Sequence, residues 1–149
     1  MMEQFIRPDL HIAFAYPDNW TLMELDGQVG VRVSEPTDPR IALQIVCDTA
    51  GAPPDEQEER IRNSIPADAT CTAAWLRSGH VTNISQVLPE EEPVPALAFA
   101  ARNASFAFRV FVAVRGGCRW TIRVETLQRK EWWQETRTLE SILSSLFLL

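Results

Sequence analysis

Alternation between apolar and polar positions begins early in the chain. Leu10, Ile12, Phe14 and Tyr16 fall on one side and His11, Ala13 and Ala15 on the other, the period of two that marks a half-buried strand, and Pro17-Asp18-Asn19 ends it. Val29–Val33 repeats the pattern. After the turn Glu35–Pro39, Ile41, Leu43, Ile45 and Cys47 alternate with Ala42, Gln44 and Val46, which predicts a β-meander. Ala52-Pro53-Pro54 then breaks the chain, and Asp55–Ser64, rich in Glu, Gln and Arg with Ile61 and Ile65 four apart, predicts a short helix. Residues 67–88 keep no single register across Ser78-Gly79. Beyond the acidic loop Pro89–Pro93, Leu97, Phe99 and Ala101 alternate with Ala98, Ala100 and Arg102. Phe106, Phe108, Val110, Val112 and Val114 share a face, Gly116-Gly117 follows, and Trp120, Ile122 and Val124 share a face in turn, so a hairpin is expected there.

The last segment, Arg129–Leu148, has no Gly, Pro or β-branched run. Advancing about 100° per residue sets Trp132, Thr136, Leu139, Leu143 and Leu146 on one stripe with Ile142 beside it, a long amphipathic C-terminal helix. Trp132 is thereby assigned to the core and Trp133 to the margin of the stripe. Strands grouped in runs, with a short helix after the first meander and a long one at the end, predict an α+β fold with a mainly antiparallel sheet. At 149 residues the chain fits one domain spanning 1–149.

Composition narrows the function classes. With 46% hydrophobic and 23% charged residues the chain is an ordinary globular one, and a net charge of −6 argues against nucleic acid, whose backbone needs a concentrated basic face. Cys47, Cys71 and Cys118 are odd in number and widely spaced, so reduced thiols are expected and no metal site or disulfide framework. No cofactor motif is present. No basic segment followed by an apolar run opens the sequence, and no stretch reaches the ~18 apolar residues of a membrane span, so the expected location is the cytoplasm.

The opening strand with "YPDNW" (Tyr16–Trp20), the meander, the short helix, the hairpin "FRVFVAVRGGCRWTIRVET" (Phe108–Thr126) and the closing "WWQETRTLESILSSL" resemble the PsbP-like superfamily. That group includes an extrinsic subunit of photosystem II, a nuclear-import factor that binds Ran, and DcrB-type bacterial proteins. The resemblance implies an α/β/α sandwich around a twisted antiparallel sheet of about six strands, and members that mostly bind or assemble rather than catalyse. It also gives the aromatic turn a packing role, with Trp20 folding back to cap the core.

Catalytic signatures are missing: there is no G-x-S-x-G, P-loop, G-x-G-x-x-G or H-E-x-x-H. His11 and His80 are expected at the surface, and Cys118 with His80 would make a nucleophile and base only if the fold joined them. If the alternation holds, Arg32, Arg102, Arg109 and Arg123 project opposite the large apolar side chains, with Gln44, Phe111, Thr121 and Glu125 among them. Arginine and aromatic residues together are typical of contact hot spots, which makes Trp133, Arg109, Phe111 and Arg123 the candidate contacts for an unidentified protein partner. A solvated face of arginines paired with carboxylates such as Glu125 is the structural alternative. The sequence therefore predicts a non-enzymatic protein-binding, assembly or chaperone-like module of a bacterial cytoplasm. The alternative is a small-ligand carrier or enzyme using a cleft between sheet and helix. Weak homodimerisation, through a strand edge or the apolar Leu146–Leu149, is a third expectation.

Overall fold

The fold follows from a computed structural model that describes residues 1–27, 29–48, 70–82, 86–102, 106–115, 118–127 and 133–149, with backbone only at 70, 71, 101, 102, 106, 127 and 133–136. Its central element is a seven-stranded antiparallel sheet built from β3 (Thr21–Glu24), β4 (Gly30–Ser34), β5 (Ala42–Asp48), β11 (Cys118–Leu127), β10 (Phe106–Arg115), β9 (Val94–Arg102) and β6 (Thr70–Leu76), in that spatial order. A second sheet sets β2 (Ile12–Pro17) between β1 (Met2–Arg7) and β12 (Phe147–Leu148), and β7 (Gly79–Val81) pairs with β8 (Val87–Pro89). The described α-helix is α1, Trp133–Ser144.

Alternation gave the last two strands of the expected meander, whereas the opening strand, β2, lies in the other sheet and β3 takes its place beside β4. Ile41, Leu43, Ile45 and Cys47 are all buried, and β4 pairs with β5 in the register Val31↔Ile45 and Val33↔Leu43. One core lies between the large sheet and a layer formed by α1 and the small sheet. It joins Ile12, Phe14 and Leu148 of the small sheet with Leu139 and Ile142 of α1 and with Val31, Leu43, Ile45, Trp120 and Ile122 of the large one. Trp20 enters this core, and its backbone N–H donates to the Pro17 carbonyl at 3.0 Å to close the turn, so the aromatic turn packs as expected.

The expected α+β sandwich with a long C-terminal helix is not formed. Among the described residues the chain is mostly β, with twelve strands in three sheets, and the helix is 12 residues long. The reason lies at Ser145. Its Oγ accepts the Ala15 N–H at 2.8 Å and donates to the Ile142 carbonyl at 2.6 Å, which closes the helix, and the free edge of β2 then captures Phe147 opposite Ala13 and Leu148 opposite Ile12. Leu146 stays buried in either conformation, so the apolar stripe alone did not show where the helix stops. The short helix read over 55–64 lies outside the described residues. Six strands escaped the alternation: β1, whose side chains are exposed or half-buried, β3, a four-residue edge, β6, β7 and β8 in the stretch without a register, and β12 in the segment read as helix. Among the described residues no helix is long and apolar enough to cross a membrane.

Candidate functional site: the two faces of the large sheet

Residues directly opposite each other in an antiparallel ladder point to the same side, so register decides what shares a face. β10 is apolar on both sides, and alternation within it could not tell which side meets the core. The register settles this: Phe111 lies opposite Ile122 and Arg109 opposite Val124, whereas Val110 lies opposite Arg123 and Val112 opposite Thr121. Arg109 and Phe111 therefore share the core side with Trp120, Ile122 and Val124. Arg123 stands on the other side with Arg32, Gln44 and Glu125. The arginine-bearing face read from the sequence is thus split between the two faces of the sheet.

The outer face has a polar half and an apolar half. On β4, β5 and β11, Arg32 reaches Gln44 Oε1 at 3.1 Å, the Pro39 carbonyl at 3.0 Å and Glu125 at 3.4 Å, and Arg123 Nε meets the same carboxylate at 2.8 Å. Arg119 pairs with Asp48 at 2.6 Å. On β9 and β10, Leu97, Phe99, Phe108 and Val114 pack against buried Val110 and Val112. The halves meet where the Arg123 guanidinium lies 4.6 Å from the Phe108 ring centre. Each of these arginines already has a carboxylate partner, the arrangement of a solvated, paired face.

On the core side, Phe111 is buried and the Arg109 guanidinium stacks 5.7 Å from its ring while pairing with Glu140 of α1. Arg109 remains about half exposed, at 44%. That pair sits at the rim of a cleft of about 270 Å³ between the ends of β10 and β11 and the helix, walled by Ala107, Phe108, Val124, Thr126 and Leu139. Of the four candidate contacts, Arg109 and Phe111 therefore come together, Arg123 faces the opposite way, and Trp133 opens α1 with its side chain outside the described atoms.

Cys118 and His80 do not form a catalytic pair: His80 is exposed on the β7–β8 hairpin, 3.4 Å from Glu90, while Cys118 is buried beside Cys47. Burial, and then the neighbouring Cys118, pushes the Cys47 thiol up to about 11, so it stays protonated and a poor nucleophile near neutrality. Sequence reading missed this cross-strand thiol pair, because it did not order the strands; only the pairing of β5 with β11 brings their inward positions together. It also missed Trp75, which is 67% exposed on β6. Among the described residues no group of three or more His, Cys, Asp or Glu could hold a metal.

The class this architecture defines is the PsbP-like fold. The solution structure of cyanobacterial PsbP (CyanoP) from Synechocystis sp. PCC 6803 matches with a TM-score of 0.57, covering 99% of this chain and 92% of that one at 10% identity. At that identity the likeness is one of fold. The sequence matches no family model and none of the curated proteins.

Proposed function

We propose that this chain is a non-catalytic protein-binding, assembly or chaperone-like module. The observation that carries the reading is the end-to-end likeness of fold to cyanobacterial PsbP, since PsbP-like proteins mostly bind or assemble. The site chemistry supports it: the buried thiol is held neutral and the arginines are engaged in ion pairs. The contacts we assign are Arg109, paired with Glu140 of α1, and Trp133 at the first residue of the same helix, with Arg123 as a separate contact on the outer face. Phe111, being buried, supports Arg109 from beneath rather than touching a partner. Affinity capture from native lysate tests this, with wild type beside Trp133→Ala/Arg109→Ala and beside Arg123→Ala. A protein retained by wild type, reduced by either variant, and binding purified wild type in a two-component assay is expected. Capture of nothing above control beads would refute the reading.

A second reading, a small-ligand carrier or enzyme, is favoured by the cleft at Arg109 and Glu140, whose apolar walls suit a compact hydrophobic molecule. A metabolite that raises the melting temperature of wild type but not of Leu139→Phe, which fills the cleft, would support it.

A further inference from the structure

β6 is the terminal strand of the large sheet and, among the described residues, pairs with β9 alone. Its register sets Trp75 opposite Pro95. Proline has no N–H to exchange, so this pair occupies a position without ladder bonds. The alternation of an antiparallel ladder then gives the bonds with β9 to Thr72, Ala74 and Leu76, and turns the N–H and C=O of Cys71, Ala73 and Trp75 toward the free edge.

Edges of this kind are usually guarded by charge, proline, a bulge or short length. β6 has none of these guards. Its sequence, TCTAAWL, is seven residues long without a charge or proline, its register with β9 is unbroken, and Ala73 and Trp75 are exposed. The opposite edge is guarded: β3 has four residues, and its Glu24 is held at 2.6 Å by Arg7 of β1.

We propose that β6 pairs with β6 of a second copy of this chain, antiparallel about a two-fold axis at Ala73. That register is self-complementary. Ala73 lies opposite its own counterpart and Cys71 opposite Trp75, and all of these positions turn their backbone groups to the edge, so three pairs exchange about six ladder bonds. Trp75 and Ala73 share a face, and the register sets the small residue Cys71 across from each Trp75. No charge falls on the shared line. A second copy supplies this matching of large against small without any further partner, and the proposal stands whether or not the protein-binding reading holds.

Because each copy carries a net charge of −6, screening should strengthen the association as salt is raised. Sedimentation velocity of the full chain from micromolar to near-millimolar concentration should show the mass moving from 16.9 kDa toward twice that value, more so at high salt. Ala73→Pro removes an N–H that β9 does not use, so the monomer keeps its fold while association falls at least about tenfold. Ala73→Lys, which sets two like charges across the axis, gives the same loss and carries the test if the proline variant does not fold. A wild type that stays monomeric throughout, an association that weakens with salt, or a folded Ala73→Lys that associates as wild type does would each overturn the proposal.

Discussion

Trp120 combines two opposing energies that a single substitution separates. Its side chain is 1% exposed, and its indole Nε1–H is buried without a hydrogen-bond acceptor. The ring is fixed by the His11 imidazole edge-on at 6.5 Å and the Arg115 guanidinium at 5.9 Å. Trp120→Phe deletes part of the ring, at a cost of roughly 1 kcal/mol for the remaining void and about 1–2 kcal/mol for lost apolar burial. It also removes the unpaired buried N–H, whose desolvation costs about 1–3 kcal/mol. The terms nearly cancel, so the expected net loss is about 1 kcal/mol or less. Trp120→Ala has no such offset and should cost about 3–5 kcal/mol. Urea unfolding followed by far-ultraviolet circular dichroism, which does not depend on the lost fluorophore, measures both. A loss above about 3 kcal/mol for Trp120→Phe would refute the reasoning, because it would mean that the indole N–H has an acceptor in solution.

Glu125→Gln removes the carboxylate shared by Arg32 and Arg123 and should cost about 1 kcal/mol in chemical denaturation, with the difference from wild type shrinking in high salt. Gly30→Ala drives a Cβ to 2.3 Å from the Ile45 carbonyl oxygen, a backbone atom, and should cost about 3 kcal/mol by thermal unfolding. Gly27→Ala, where φ is +72° and nothing lies within 4 Å, should cost only about 1 kcal/mol. The Cys47 thiol is raised from 9.0 to about 11 in the folded chain, so folding favours its protonated form. The stability this contributes is whole below pH about 9 and disappears as pH rises to about 11, a loss of up to roughly 2 kcal/mol that Cys47→Ala should remove from the alkaline unfolding curve. At pH 8, alkylation of Cys47 should be far slower in the native protein than in urea.

The sequence was legible where one face of a strand is dry and the other wet. β5 carries Leu43, Ile45 and Cys47 inward against Gln44 outward, and its alternation located both the strand and its face. β10 was legible as a strand but not in its facing, because Phe108, Val110 and Val112 on one side are as apolar as Phe111 and Ala113 on the other. Only the pairing with β11 assigns the sides, and that pairing is a long-range property. The same limit misplaced the helix end. Leu146 satisfies an amphipathic stripe and a strand entry equally, and the deciding bonds come from Ala15 and His11, more than a hundred residues earlier in the chain.

The candidate contacts failed to cluster for the same reason. Arg109 and Arg123 were grouped on one face because alternation was carried across Gly116-Gly117, whereas the ladder puts them on opposite sides. The more informative surface lay where periodicity faded. β6 has no alternation to read: Thr72 and Ala74 face the core side and Ala73 and Trp75 the other, with too little contrast between small residues for either set to stand out. That small, uncharged character makes the strand illegible in the sequence, and it also leaves the edge without the charges that would keep another strand away. In this chain weak patterning and an unguarded edge have one cause, so in a sequence of this kind the stretch that resists assignment is a reasonable place to look for an interface.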